Sequence, residues 1–167
     1  MIAIIDYDAG NLKSVEKALQ FIGEECRVTR NREEILSADQ VILPGVGSFG
    51  DAMEHLKQYG LDHVIREVVD RKIPLLGICL GLQLLFEKSE ESPGVDGLGI
   101  LKGEIYFVHS YYLRAKDEEL VAAVTEYATR IHASVEAGSV FACQFHPEKS
   151  GEVGLQILRN FAKIKQK

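Results

Sequence analysis

Cys79 stands between two glycines in Gly77-Ile78-Cys79-Leu80-Gly81, after an apolar run and ahead of a segment, 80–86, whose apolar positions return every three or four residues. Strand, sharp turn and helix in that order lift the central side chain to the tip of the turn, the cysteine form of a nucleophile elbow. The glycines give the backbone room to turn. The chemistry open to such a cysteine is attack on a carbonyl. The first N–H groups of the helix, chiefly that of Leu80, can hold the resulting oxyanion, and the positive end of the helix dipole favours thiolate over thiol. The same pattern also fits a small apolar cysteine packed between strand and helix, so the elbow needs a base elsewhere in the chain.

Gln144-Phe145-His146-Pro147-Glu148 supplies one. In extended chain, residues two apart project to one side, so His146 and Glu148 present imidazole and carboxylate together, with Pro147 restricting the backbone between them. A histidine oriented by a carboxylate takes the thiol proton and returns it to a leaving amine. A third stretch, Pro44-Gly45-Val46-Gly47-Ser48-Phe49-Gly50, is a glycine-rich loop directly after an apolar run. It lacks Gly-Lys-Ser/Thr, and its Gly-x-Gly is not completed to Gly-x-Gly-x-x-Gly, so it fits a phosphate loop poorly. Its backbone N–H groups suit an acyl-transfer oxyanion, unless the loop is a structural turn alone. Cys26 and Cys143 have neither elbow nor His-x-Glu partner and read as packing residues.

The elements that must hold these groups alternate. Residues 2–6 read as a buried strand, with a helix from Asn11 to the stop at Gly23, a strand over 26–29, a short helix over 32–37 and a strand over 40–43. Helices follow over 51–57 and 61–71, and Pro74 opens the elbow strand 75–78. Alternating strands and helices predict a largely parallel central sheet flanked by helices, with the catalytic loops at the carboxyl ends of its strands. After the polar loop 87–97 the character changes: 105–113, 121–127, 131–135 and 140–145 read as strands without helices between them. They are expected to pair antiparallel, on or beside the main sheet. A helix over 153–164 ends the chain.

A length of 167 residues suits one domain, 1–167. The net charge of -6 offers no field to nucleic acid or to an anionic membrane. Three cysteines without paired spacing argue against a disulfide scaffold or a Cys-rich zinc site. None of the five histidines forms a short ligand pair, so no metal and no cofactor are expected. No apolar run spans a bilayer and no basic leader precedes the first strand, which places the expectation in the cytoplasm.

Gly77-Ile-Cys-Leu-Gly-Leu-Gln83 with Gln144-Phe-His-Pro-Glu148 resembles the signature segments of the class I glutamine amidotransferases. Within that family, Pro44-Gly-Val-Gly47-Ser-Phe-Gly50, Phe107-Val-His-Ser-Tyr-Tyr112 and His146-Pro-Glu-Lys-Ser150 are most similar to the glutaminase subunit of imidazole glycerol phosphate synthase. The resemblance implies Cys79 as nucleophile, His146 as general acid and base, and Glu148 as its orienting partner. It implies oxyanion donors at Leu80 and Val46, and a loop that is often misaligned until a partner and its substrate bind. The L-glutamine head group would be held at Gly45, Gly47, Gln83, Ser110 and Tyr111. Ammonia would pass to a (β/α)8-barrel cyclase subunit in a heterodimer, with Asn11 and Lys149 at positions that face the partner.

The chain departs from this family in one place. Members carry a longer stretch, with further strands, between Leu101-Lys-Gly103 and Ile105-Tyr-Phe-Val-His109, where here Gly103-Glu104 joins directly to the next strand. Other readings stand beside the first: a glutaminase for anthranilate, guanylate or pyridoxal phosphate synthesis, a non-catalytic module on the same fold, or a cysteine esterase or protease.

Overall fold

The computed structural model describes residues 1–108, 110–115, 118–127 and 129–166, and excludes the side chains of 104–117 and 127–130. The parallel half alternates as the pattern predicts: β1 (Ile2–Ile5), α1 (Leu12–Phe21), β2 (Cys26–Thr29), α2 (Arg32–Leu36), β3 (Gln40–Leu43), α3 (Phe49–Gln58), α4 (Leu61–Asp70), β4 (Leu75–Ile78) and α5 (Leu80–Leu84). A two-residue strand β5 (Lys88–Ser89) lies within the polar loop, followed by β6 (Gly103–Val108), β7 (Ser110–Ala115), β8 (Val121–Tyr127), β9 (Thr129–Ala137), β10 (Val140–Cys143) and α6 (Gly151–Ala162).

The main sheet has seven strands in the order β2-β1-β3-β4-β10-β9-β8. Pairs from β2 to β10 run parallel, and the β10–β9 and β9–β8 pairs run antiparallel. Period-2 alternation divides the side chains between two cores. Ile2, Ile4, Ile42, Leu76, Ile78 and Cys143 face α1 and α6, where Val15, Leu19, Leu158 and Phe161 close one core. Ala3, Ile5, Val41, Leu43, Leu75, Val140 and Ala142 turn the other way, toward Ile35, Met53, Leu56, Ile65 and Val68 of α2, α3 and α4. Each of these large aliphatic side chains contributes about 1.5–3 kcal/mol by leaving water, and this double coverage makes the central strands nearly continuous apolar runs.

Two expectations change. Residues 105–113 are not one strand: β6 and β7 pair antiparallel from Gly103↔Ala115 to Val108↔Ser110, and with β5 they form a separate three-stranded sheet. Strand propensity reports extended backbone rather than its direction, and no Gly, Pro, Asn or Asp marks the reversal. His109 is outside the described residues. The shortened junction at Gly103-Glu104 runs inside β6 as continuous strand. β10, expected to pair antiparallel, does so only with β9; its other edge lies parallel to β4, with Cys143 opposite Ile78. That pairing brings the end of β10 beside the elbow.

Candidate active site

The carboxyl ends of β1, β3, β4 and β10 lie along one edge of the sheet, and each delivers a piece of the site. At the end of β4, Cys79 has φ 55° and ψ -109°, a conformation that costs a non-glycine residue about 1–3 kcal/mol. Hydrogen bonds hold it there: the Cys79 N–H donates to the Cys143 carbonyl at 2.8 Å, and the Leu82 and Gln83 N–H groups donate to the Cys79 carbonyl at 3.0 and 3.3 Å. The strained torsion belongs to the cysteine, and the flanking glycines answer a different need. A Cβ on Gly81 would overlap the Leu43 carbonyl oxygen of β3, and one on Gly77 would press on Leu85 Cδ1 at 2.9 Å and the Gly81 backbone at 3.0 Å. Both are glycines because helix and sheet approach each other too closely for a side chain.

The thiol is half-buried, and its pKa is raised, contrary to the expected bias toward thiolate. Burial is the largest cause and the Glu148 charge adds to it, outweighing the Leu80 N–H, the Lys149 charge and the Gln144 amide, which pull the other way. With only five residues in α5, its dipole is correspondingly short, and the local Leu80 donor carries the effect.

His146 and Glu148 meet, though not by way of an extended strand. β10 ends at Cys143, His146 caps a 3-10 turn over Pro147–Lys149, and Pro147 fills the first position of that turn, which its fixed φ and missing N–H suit. The turn still brings Glu148 Oε1 to 2.8 Å from His146 Nδ1. An ionised carboxylate only accepts, so Nδ1 carries the proton and Nε2 is left as an acceptor. The Glu148 side chain is 0% exposed and also accepts from Asn11 Nδ2 at 3.4 Å. Among the described residues Cys79 Sγ has one side-chain hydrogen-bond partner, Gln144 Nε2 at 3.6 Å, so the resting thiol is not bonded to the imidazole.

The glycine-rich loop after β3 lies against the elbow. Buried Tyr7, just past β1, donates its hydroxyl to the Pro44 carbonyl at 2.7 Å. A Cβ on Gly45 would overlap that hydroxyl and reach Leu80 Cβ at 2.9 Å, and Gly47 has φ 103°. Val46 is 37% exposed between them, and Leu80 is buried. Phe49, fully buried, anchors the far end, where its N–H donates to Glu91 at 3.0 Å. Gln83 is buried and donates from Nε2 to Gln144 Oε1 at 3.2 Å.

Asn11 is at the N-cap position of α1, but its side chain makes no capping bond and reaches Glu148 instead. Lys149 is exposed, and its charge is felt at Cys79. The backbones of Ser110 and Tyr111 are in β7, opposite Val108 and Phe107; their side chains are outside the described residues. Sequence reasoning passed over Tyr7, Gln144 and the Asn11–Glu148 bond. These contacts join β1, β3, β4 and β10 across long stretches of chain, and no local spacing encodes them. Among the described residues no three His, Cys, Asp or Glu side chains converge to hold a metal ion, and no helix is long and apolar enough to cross a membrane.

Comparison with known proteins bears on this edge directly. Residues 3–96 and 101–164 match the family described as Glutamine amidotransferase class-I. The chain is 48% identical to the imidazole glycerol phosphate synthase subunit HisH of Bacillus cereus (strain G9842), covering 96% of this chain and 93% of that protein. It is 42% identical to the HisH subunit of Methanocaldococcus jannaschii, over 98% of this chain and 100% of the relative. The Bacillus cereus alignment runs over 196 residues against 167 in this chain, so the relative carries positions with no counterpart here. In fold, the chain is similar to a glutamine amidotransferase crystal structure (TM-score 0.74, 19% identity, covering 98% of this chain and 100% of that one). It is also similar to PurLQS from Thermotoga maritima (TM-score 0.68, 20% identity, 96% of each chain). The chain therefore belongs to the class I glutamine amidotransferases.

Proposed function

We propose that this chain is the glutaminase subunit of an imidazole glycerol phosphate synthase, working in the cytoplasm as a single domain, and that Cys79, His146 and Glu148 carry its chemistry. The observation that supports it most is the meeting of the strained Cys79 elbow and the His146–Glu148 pair on one sheet edge, in a chain that matches HisH subunits over nearly its whole length.

L-glutamine enters with its head group on Gln83, Gly45, Gly47, Ser110 and Tyr111 and its side-chain amide over Cys79. The thiol proton passes to His146 Nε2 and the sulfur attacks the amide carbon. The N–H groups of Leu80 and Val46 hold the oxyanion, the interaction on which such reactions depend by about 10²–10³ in kcat per donor. His146 then gives its proton to the leaving nitrogen, which departs as ammonia, and a γ-glutamyl thioester remains on Cys79. Water activated by His146 hydrolyses it to glutamate. Because Sγ rests on Gln144 rather than on the imidazole, the sulfur and His146 must close on each other when substrate binds.

Ammonia passes to a (β/α)8-barrel cyclase subunit in a heterodimer. Lys149, exposed beside the triad, and Asn11, which touches Glu148, lie at the partner face and link docking to the triad. The test is glutamate release from glutamine by the intact chain, alone and with such a cyclase subunit and its nucleotide substrate. Turnover stimulated by the partner and abolished by Cys79→Ala is expected. A folded chain that leaves glutamine untouched with and without the partner would overturn the assignment.

A further inference from the structure

Gln144 reaches the reacting sulfur, and its position follows from the sheet. β10 runs parallel to β4 with Cys143 opposite Ile78, so the next residue of each strand, Gln144 and Cys79, emerge side by side at the carboxyl edge. The Gln144 N–H donates to the Ala133 carbonyl of β9 at 2.9 Å, which fixes its backbone, and its half-buried side chain lies between Gln83 and Cys79. Gln144 Oε1 accepts from Gln83, so the amide turns its N–H toward Sγ. Reversed, the amide would aim its carbonyl oxygen at the sulfur, an arrangement that accepts a proton from a thiol but repels a thiolate.

We propose that Gln144 is a catalytic residue that stabilises the Cys79 thiolate by donating its side-chain N–H to Sγ, with Gln83 setting the orientation of that amide. The proposal rests on the reading of Cys79 as nucleophile. The thiolate needs such a donor because burial and the Glu148 charge oppose its formation, while the Leu80 N–H, the Lys149 charge and the Gln144 amide favour it. Tyr7 and Cys143, whose charges would also act on the sulfur, are themselves held protonated by burial, and His146 is bonded through Nδ1 to Glu148. Donation to Sγ also fits the order of events: it is strongest while the sulfur is anionic and lapses once the thioester forms.

Iodoacetamide alkylation of Cys79, followed across pH by the mass of the peptide that carries it, reads the thiolate without using glutamine. In Gln144→Met, which keeps the volume but loses the donor, the midpoint moves up. The rate below it falls roughly tenfold for each unit of that shift, while the limiting rate at high pH is unchanged. Gln144→Glu, which sets a carboxylate on the sulfur, moves the midpoint further. A midpoint unmoved in both variants would overturn the proposal. So would a limiting rate that falls in both, since it would mark a change of access rather than of ionisation. Glutamate release by the unsubstituted chain with its cyclase partner, together with an unmoved midpoint in the variants, would count against Gln144 alone; a shifted midpoint in the variants, when the unsubstituted chain with that partner releases no glutamate, would count against the glutaminase reading alone.

Discussion

Tyr7 and Glu148 show how single buried atoms hold this site. The Tyr7 hydroxyl is paired with the Pro44 carbonyl, and burial pushes its pKa up, so it stays a neutral donor. Tyr7→Phe removes that donor and leaves a carbonyl unpaired at the start of the glycine-rich loop. Such a loss costs about 1–3 kcal/mol, to be read as a lowered denaturant midpoint. Glu148→Gln keeps the shape but presents an amide to Nδ1, so the imidazole is no longer held with Nε2 free. We expect kcat for glutamine to fall by about 10³–10⁴ with KM little changed, and an unchanged kcat would remove Glu148 from the proposed triad. The elbow and the His146–Glu148 pair were legible because each is a short motif of fixed spacing. Tyr7 and Gln144 were not, because their roles come from contacts between strands far apart in the chain.

At the scale of elements, two kinds of glycine separate by experiment. Gly81 has no room for a Cβ against β3, so Gly81→Ala must push α5 off the sheet and is expected to cost about 3 kcal/mol or more. Gly23, with φ 84° and open space around it, ends α1 by conformation alone, and Gly23→Ala should cost only about 1–2 kcal/mol. Equal losses in thermal unfolding would contradict the packing account of the elbow. The strands and helices of the parallel half were readable from apolar periodicity because each is covered on both sides or along one face. The β6–β7 reversal was not, since one unbroken stretch of strand-forming residues serves both arms. Nor was the 3-10 turn at Pro147, where a proline that suits extended chain equally suits the first position of a helical turn.

Across the whole molecule, the buried thiol of Cys143 ties stability to pH. Burial, joined by the nearby Glu148 and Cys79 charges, pushes its pKa from 9.0 to about 12. The unfolded chain releases this proton at the lower value while the folded chain keeps it. The folded state therefore binds more protons across that interval, and stability falls as pH rises through it. In Cys143→Ala the thermal midpoint should decline less steeply over the same range, and an unchanged slope would assign the alkaline loss elsewhere. The parallel sheet, and the edge at which its strands end together, were visible in the alternation of strands and helices. The placing of β10 next to β4, on which the whole site depends, was hidden, because hydrophobic pattern does not record a strand's neighbours. The most direct test of the account is to quench the intact chain during turnover of glutamine and weigh its cysteine peptides. A γ-glutamyl group on the Cys79 peptide alone is the predicted result. Turnover with that group on Cys26 or Cys143, or with no acylated cysteine under conditions that trap the thioester, would contradict it.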